Sequence, residues 1–332
     1  MTDLRVSVVI PVRNEAARIG ACIEGVLSQT IEVREIVVVD SGSTDGTLDI
    51  LAKYPQVRVE HVPAESFNHG ESRNVGVRAA IGDWVALTVG DARPFDSRWL
   101  EELFAGLTDE SIVAVSGIQV VPHERGAPPL EWFRPVSDPA IHRVHFPDPT
   151  AFDALTAGEK REACGWDNVN ALYRRDVLLE IPFQQAAYCE DMLWAKDALR
   201  QGRAIAYNTG ARVYHYHIET PAFAFRRAIA VMYCRYRAFG YVHDDPQLVL
   251  SILRDTARLA AAPAIPIDER LRWFVRGPQL RIATARAHDA FKRAMKEGDQ
   301  ALDALFVRHC GTPPVPQKRA SGVASVGNAS FS

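Results

Sequence analysis

The sequence lacks most features that mark disulfide-bonded, metal-clustered or membrane-spanning proteins. Its five cysteines in 332 residues are widely spaced and include no C-x-x-C pair, which argues against zinc ribbons and dithiol redox centres. No apolar run approaches the roughly 18 residues that a spanning helix needs. Residues 1–12 also have neither the basic start nor the cleavage site of a secretory signal. These absences predict a reduced, cytoplasmic protein that at most lies peripherally on a membrane.

Charge is nearly balanced over the whole chain but unevenly distributed along it. The 38 basic and 41 acidic residues leave a net charge of −3, whereas residues 221–332 hold 17 basic and 9 acidic side chains. Such an excess predicts an anionic partner for the second part of the chain, and no aromatic-rich nucleic-acid module accompanies it. We therefore expect an anionic membrane surface rather than nucleic acid. The sequence leaves the oligomeric state open.

Strand and helix patterns alternate through the first 120 residues. Apolar runs predict strands at residues 6–12, 36–39, 57–62, 84–88 and 112–115. Helices are expected between them, one capped by Ser43 or Thr44, one over residues 73–80, and one capped by Asp96. Because these strands are apolar on both faces, the fold class is α/β, with a mostly parallel sheet flanked by helices.

The rest of the chain divides into an insert, a second strand and helix set, and a C-terminal extension. Residues 120–165 show little periodicity and predict a long functional insert. A strand at 168–173, a helix from Glu190 to Gly202 and a strand ending at His217 complete a domain of residues 1–220. Residues 221–310 predict a basic helical region, and residues 311–332 a disordered tail.

One helix of the C-terminal region has a mixed apolar and basic pattern at residues 221–240. An apolar stripe runs through Phe225, Ile229, Met232, Tyr236 and Phe239, and arginines occupy the other faces. This pattern is typical of a helix that lies on anionic lipid. The alternative is a packing helix with a solvated arginine face.

Two loops of the predicted sheet carry distinctive strings. Neither G-x-G-x-x-G nor G-x-x-x-x-G-K-[ST] follows the first strand, which argues against dinucleotide-binding Rossmann and P-loop enzymes. Instead the first strand ends in PVRNE at residues 11–15, and the second ends in DSGSTDG at residues 40–46. Ligands bind outside the carboxyl ends of strands in open sheets of this kind, so both loops are candidate site segments.

These strings together resemble family-2 glycosyltransferases of the GT-A fold, which is Rossmann-like and binds nucleotide-diphospho-sugars. Residues 67–74 and 87–94 resemble the bacterial rhamnosyltransferase branch in particular, and residues 190–195 and 213–217 also fit it. The resemblance covers residues 5 to about 240. By this resemblance the donor is held at the strand ends and on the third helix, by Pro11, Arg13, Asn14, Glu15, Asp40, Gly42, Arg73, Asn74, Gly90 and Asp91.

Three of these residues have structural alternatives. Asp40 can accept a hydrogen bond from the imide N–H of a base, or it can cap the tight turn that follows its strand. Arg73 can offset the charge of the diphosphate, or it can be a solvated arginine on a helix face. For Asn74 the structural role is the stronger alternative.

The resemblance also implies a divalent cation, Mg²⁺ or Mn²⁺, held near the diphosphate. The family motif is D-x-D, but residues 89–91 are VGD, so Asp91 supplies the single carboxylate. Such ions often bind through one or two carboxylates plus substrate oxygens. His215 and His217 lie two apart on the predicted strand and face the same side, which makes His217 above all a further candidate ligand.

Catalytic and acceptor roles are implied for residues 164–191. Asp191 is the expected general base and Glu190 an orienting group, both at a helix start where the macrodipole favours ionised carboxylates. Trp166, Asp167 and Asn168 are candidate acceptor-binding residues, with core packing as the alternative for Trp166.

The resulting expectation is an inverting glycosyltransferase that moves a sugar, with L-rhamnose from dTDP-rhamnose as the suggested donor, to a glycan or lipid-linked acceptor. A catalytically silent GT-A domain would explain the incomplete metal motif and would bind nucleotide without turnover. A nucleotidyltransferase would need a Gly-rich basic loop after the first strand, which residues 11–15 lack.

Overall fold

The computed structural model describes residues 5–130, 138–186 and 188–311. The strands are β1 (Val6–Val12), β2 (Val33–Asp40), β3 (Val57–His61), β4 (Trp84–Leu87), β5 (Arg93–Pro94), β6 (Ile112–Val120), β7 (Ile141–Val144), β8 (Ala171–Arg174) and β9 (Ala204–Tyr214). The helices are α1 (Ile19–Leu27), α2 (Thr47–Leu51), α3 (His69–Ala79), α4 (Trp99–Ala105), α5 (Pro149–Asp153), α6 (Ala157–Ala163), α7 (Arg175–Glu180), α8 (Glu190–Arg200), α9 (Pro221–Phe239), α10 (Leu248–Ala261), α11 (Ile267–Glu297) and α12 (Asp299–Cys310). The predicted tail beyond Gly311 lies outside the described residues.

One mixed sheet contains all nine strands of the described residues, in the order β3-β2-β1-β4-β8-β6-β9-β5, with β7 also paired to β9. Pairing is parallel among β1 to β4 and between β6 and β9. The strand β8 runs antiparallel to both of its neighbours, β4 and β6. Parallel pairing is therefore confined to two groups of strands, which β8 joins.

Helices cover both faces of the sheet, as the doubly apolar strands predict. Along β1, Val8 and Ile10 pack into a core with α1 and α4, whereas Val9 packs into a core with α3 and α8. The same alternation occurs along β2, because successive strand residues point to opposite faces. Both cores consist of buried, mostly apolar side chains, so the sheet holds the strand ends in fixed positions.

Three predicted helix starts differ from the structure. The N-cap of α2 is Gly46, with no side-chain cap from Ser43 or Thr44. The helix α4 begins after Arg98, and Asp96 accepts a hydrogen bond from the N–H of Arg98 instead of capping the helix. The helix α3 begins four residues before the predicted start, because the side chain of Asn68 accepts from two N–H groups of its first turn.

The insert and the last strands also differ in detail. Residues 120–165 hold β7, α5 and α6 among their described residues, and residues 131–137 lie outside them. The strand β8 begins at Ala171, three residues after the predicted start. The strand β9 ends at Tyr214, so His215 and His217 lie in the segment that follows it.

The apolar stripe of α9 is buried against protein, which overturns the prediction that residues 221–240 present it to lipid. Ile229 and Met232 belong to a core with Phe291 and Phe306 of α11 and α12, and Phe225 and Tyr236 pack against it. Phe239 joins the core beneath α8. The packing-helix alternative therefore holds for α9. Of the described helices, none combines the length and hydropathy that crossing a membrane requires.

Candidate active site

A cleft of about 620 Å³ opens where the carboxyl ends of β1 and β4 meet the start of α8. Its lining includes many of the predicted site residues, namely Pro11, Arg13, Glu15, Arg73, Gly90, Asp91, Trp166, Asp167, Glu190, Asp191 and His217. Asn14, Asp40, Gly42, Asn74 and Asn168 are not among its lining residues. The tertiary structure thus divides the predicted set into residues that line the cleft and residues that support its walls.

The loops after β1 and β2 fasten each other. The side-chain oxygen of Asn14 accepts from the N–H of Thr44 at 2.8 Å, and the N–H of Asn14 donates to Ser43 Oγ at 2.9 Å. The N–H of Glu15 donates to Thr47 Oγ1 at 2.8 Å. In this structure Asn14 is therefore a clamp between the two loops. The hydroxyls that complete this clamp were missed by sequence reasoning.

Asp40 is buried and holds the turn that follows β2. Its carboxylate accepts from the N–H groups of Gly42 and Ser43 at 3.0 to 3.2 Å. Gly42 has a φ of +81°, a conformation that glycine adopts without a steric penalty. Asp40 therefore holds the turn and Gly42 has a conformational role, while the contact of Asp40 with a base stays a prediction.

Asp91 and two histidines form a compact group at the centre of the cleft. The Nε2 atom of His215 lies 3.4 Å from Asp91 Oδ1, and Nδ1 of His217 lies 3.7 Å from Asp91 Oδ2. One ligand atom from each residue lies within 4.8 Å of the others. Burial raises the pKa of Asp91, but the hydrogen bond and charge of His215, with His217 and Arg18, hold it below its ordinary value. Three side chains that can ligate a metal therefore lie together, where the sequence predicted at most two.

Gln119 orients His215 within this group and was not predicted from the sequence. Its side-chain oxygen lies 2.6 Å from Nδ1 of His215, and its side-chain N–H donates to Asp167. Since the amide oxygen only accepts, Nδ1 of His215 donates to it, and Nε2 of the ring faces Asp91. Asp167 in turn fixes the orientation of the Gln119 amide.

Gly90 lets the β4 loop approach the β1 loop closely. A Cβ at Gly90 would lie 2.9 Å from Val12 and 3.0 Å from Glu15, closer than packed carbons allow. Burial and the nearby carboxylate of Asp91 raise the pKa of Glu15. These two carboxylates therefore share the same end of the cleft, where Arg18 lies 3.3 Å from Asp91 and 3.9 Å from Glu15.

Arg73 forms a buried ion pair with Glu190. Its Nη1 atom lies 3.0 Å from Glu190 Oε1 and also donates to the carbonyl oxygen of His69 at 3.0 Å. Burial alone would raise the pKa of Glu190, but Arg73 and His69 hold it below its ordinary value. Arg73 lines the cleft and is paired there with Glu190, and its contact with a diphosphate stays a prediction.

Asp191 has the opposite electrostatic environment from its neighbour. Burial raises its pKa well above the ordinary value, and the negative charges of Glu190 and Asp167 raise it further. The macrodipole argument predicted that this helix start favours the ionised form of both carboxyls. For Asp191, burial outweighs that effect. A pair of carboxyls whose environments move their pKa values apart is the usual arrangement of an orienting group beside a base.

Three further predicted residues serve mainly the walls. Both side-chain groups of Asn74 bond the backbone of Phe183, at 2.9 and 3.0 Å, so its amide is used structurally. Asn168 donates to Glu190 at 3.3 Å and accepts from the hydroxyl of Tyr173. Trp166 is buried, and its N–H donates to the same hydroxyl at 2.6 Å.

The ring of Trp166 packs in an aromatic cluster with Tyr173, Trp194 and Tyr207. The core-packing alternative therefore describes Trp166 in this structure, although its edge lines the cleft. Together with Tyr173 and Asn168 it forms a hydrogen-bonded support behind Glu190. Asp167 is the member of the predicted acceptor group that lines the cleft and is not fixed within the aromatic cluster.

The C-terminal helices complete the cleft, which the sequence did not predict. Phe223, Arg227, Val231 and Arg235 of α9 line it. A second cavity of about 300 Å³ adjoins it, with His215 and His217 on one side and Trp273 and Arg281 of α11 on the other. The site is therefore enclosed by both parts of the chain.

Comparison with known proteins gives the following matches. The chain matches the model of a family described as "Glycosyl transferase family 2" over residues 7–181. O-antigen chain rhamnosyltransferase RfbN of Salmonella typhimurium is 28% identical over 232 residues, which are 68% of this chain and 70% of that protein. O-antigen chain rhamnosyltransferase WbaN of Salmonella anatum is 30% identical over 231 residues, covering 67% and 69%.

Two solved structures share the overall fold. TarS 1–349 of S. aureus, in complex with UDP-GlcNAc, has a TM-score of 0.52 at 17% identity and covers 92% of this chain and 79% of its own. The mannosyltransferase PcManGT of Pyrobaculum calidifontis, in complex with GDP-Man and Mn²⁺, has a TM-score of 0.50 at 19% identity, with the same coverage. These likenesses confirm the predicted GT-A-like fold with C-terminal helices.

Proposed function

The chain belongs to glycosyl transferase family 2 and is a glycosyltransferase, and from this premise we propose that it is an inverting enzyme with Asp191 as its general base. Its donor is a nucleoside-diphospho-sugar, and its acceptor is a hydroxyl of a glycan or lipid-linked glycan. The names of RfbN and WbaN support rhamnose as the transferred sugar. We propose dTDP-L-rhamnose as the donor, as the resemblance of the sequence implied. The acceptor side of the cleft is formed around Asp167.

The contrast between Glu190 and Asp191 carries this proposal. Both carboxyls line the cleft, yet Arg73 neutralises Glu190 while burial and that same Glu190 raise the pKa of Asp191. A base is most effective when its pKa lies near the working pH, so the raised value suits proton removal from a hydroxyl. Glu190, bound by Arg73 and Asn168, positions the start of α8.

The proposed reaction is a single displacement. The acceptor oxygen attacks the anomeric carbon opposite the diphosphate, and a carbon–oxygen bond forms as the bond to the diphosphate oxygen breaks. The hydroxyl proton passes to the carboxylate of Asp191, and the nucleoside diphosphate leaves with the bonding electrons. One displacement at the anomeric carbon inverts its configuration.

A divalent cation fits the group of Asp91, His215 and His217. One carboxylate and two imidazoles suit Mn²⁺ better than Mg²⁺, which prefers oxygen ligands and retains its waters. The arrangement makes up for the missing first carboxylate of the D-x-D motif, because His215 supplies a third donor. When bound there, the cation offsets the negative charge of the leaving diphosphate.

A donor screen tests the whole assignment. We expect dTDP-rhamnose with Mn²⁺ to raise the melting temperature of the purified chain and to be hydrolysed slowly, and EDTA to remove both effects. The panel includes UDP- and GDP-sugars, so a response to another donor would correct the sugar. Nucleotide binding without hydrolysis, even with candidate acceptors present, would favour the catalytically silent domain.

Replacing Gln119 by leucine is expected to weaken Mn²⁺ binding by about 10- to 100-fold, as is common when a partner of a metal-ligating histidine is removed. The leucine cannot accept from Nδ1 of His215, so either ring nitrogen can then carry the proton. The free Mn²⁺ signal in electron paramagnetic resonance titrations measures the affinity. The exposed Gln201 provides the matched control, and Gln201→Leu should bind as the wild type does. Equal affinity in Gln119→Leu would contradict the positioning role.

A further inference from the structure

The hairpin of α10 and α11 presents an exposed apolar surface that the proposed reaction does not use. Six aliphatic side chains on it are each between 59% and 71% exposed, namely Val249, Leu250, Leu253, Ile267, Leu271 and Val275. Residues three or four apart lie on one side of a helix, so Leu253 of α10 forms a row with Leu250 or Val249, and Ile267, Leu271 and Val275 form a row on α11. Single exposed aliphatic residues are ordinary, but such rows mark interaction surfaces.

The opposite sides of the same helices are packed. Leu259 of α10 meets Ile265 and Trp273 in a small buried core. Asp255 of α10 is bound by Arg281 of α11 at 2.7 Å, so an ion pair also joins the helices. Each helix is therefore packed on the protein by one side. The aliphatic rows lie on the other side, where a partner can contact them without any rearrangement of the helices.

Charge around the rows is positive. Residues 246–288 contain seven arginines, of which Arg254, Arg258, Arg272, Arg281 and Arg286 are exposed. The same stretch contains three carboxyl side chains: Asp255 and Glu269 are buried, and Asp268 pairs with Arg125 at 2.5 Å. No exposed carboxylate of this stretch is thus left without an arginine partner.

This charge pattern distinguishes between two possible occupants. A second copy of the chain, docked through the same surface about a two-fold axis, would bring the seven arginines of residues 246–288 against the same seven arginines of its partner. A bilayer with anionic headgroups satisfies both features, because acyl chains accept the aliphatic rows and phosphates accept the arginines. An uncharged bilayer would accept the aliphatic rows but would offer no net negative charge to the arginines.

We propose that the α10–α11 hairpin docks the protein on an anionic membrane surface, in place of the α9 surface that the sequence suggested. The other side of α11 lines the cavity beside His215 and His217. Docking would therefore bring a lipid-attached substrate close to the cleft. The docking itself does not depend on the proposed donor chemistry, so each can fail without the other.

Vesicle flotation of the full chain tests this surface. We expect binding to vesicles that contain phosphatidylglycerol, weak binding to pure phosphatidylcholine, and release at high salt. The variant Leu250→Glu/Leu253→Glu/Leu271→Glu/Val275→Glu should reduce binding at least about ten-fold. Its control is Ile81→Glu/Leu179→Glu, which changes exposed aliphatic residues elsewhere and should bind normally.

Two further measurements keep the outcomes distinct. Circular dichroism and thermal unfolding without donor show whether the four-site variant is folded, and light scattering reports the mass of each protein in solution. Unchanged flotation by the folded variant, or absence of wild-type binding to anionic vesicles, would overturn the proposal. A wild-type dimer that the same variant dissociates would instead assign the surface to a second copy. Loss of vesicle binding by the folded variant, with an unchanged mass in solution, would establish the hairpin as the membrane-docking surface.

Discussion

Replacing Asp191 by asparagine is expected to lower donor turnover by about 10²- to 10⁴-fold, the usual contribution of a positioned base. Asparagine keeps the shape of the side chain but cannot take the proton of the attacking hydroxyl. Donor binding should persist, since the groups at the other end of the cleft are unchanged. Initial rates of transfer, or of donor hydrolysis by water, measure the first effect, and donor-induced thermal shift measures the second.

The control for this variant is Asp197→Asn in the same helix. Asp197 also has a pKa raised by burial, but it bonds Gln184 at 2.5 Å and does not line the cleft. We expect near-normal turnover in this variant. Unimpaired turnover in Asp191→Asn would remove the base assignment, whereas equal losses in both variants would indicate a general effect on α8.

The same assignment fixes the direction of the pH dependence. Asp191 acts only when deprotonated, and its pKa lies well above that of an ordinary aspartate. Activity should therefore fall as the pH drops through this raised pKa, in a range where most carboxylates are still ionised. Substrate-limited rates across pH would show this acidic limb, and the limb should be absent from the residual activity of Asp191→Asn.

Breaking the buried pair of Arg73 and Glu190 from one side should cost about 3 to 5 kcal/mol of unfolding free energy. Arg73→Leu leaves the carboxylate of Glu190 buried without its cation, and Glu190→Leu leaves the guanidinium without its anion. The side chains are 6% and 8% exposed, so water cannot replace the missing partner. Urea unfolding followed by circular dichroism measures each loss.

The double variant Arg73→Leu/Glu190→Leu distinguishes pairing from other effects. Since neither charge is then buried alone, it should regain much of the stability lost in the single variants. Its turnover should remain low, because the start of α8 and Asp191 lose their support. Single variants that each cost less than about 1 kcal/mol, the value of an exposed pair, would contradict the buried-pair description.

How far the site could be predicted from the sequence differs between its residues. The strand ends at Pro11 and Asp91 were predicted to meet, because carboxyl ends of neighbouring strands share one edge of a sheet. The resemblance to the family implied that the carboxyls of α8 join them. Arg73 was also placed at the cleft. Its partner could not be foreseen, since Glu190 lies 117 residues away in the chain and no local pattern links the two.

Gln119 illustrates the same limit more strongly. It occupies the end of β6 before an aperiodic insert, and a glutamine there carries no motif. Only the pairing of β6 with β9 brings it beside His215, where its amide selects the protonated nitrogen. Likewise the amphipathic pattern of α9 was compatible with lipid and with protein, and packing against α11 and α12 decided between them.

The sequence by itself determined the alternating strands and helices, the two loop strings that identify the family, and the pair of carboxyls at the start of α8. These follow from side-chain periodicity and short-range backbone chemistry, which act over a few residues. The tertiary structure decided the mixed sheet, the third donor beside Asp91, the different pKa shifts of Glu190 and Asp191, and the side of the C-terminal region left exposed. These properties depend on burial and on contacts between distant residues, which arise only when the chain has folded.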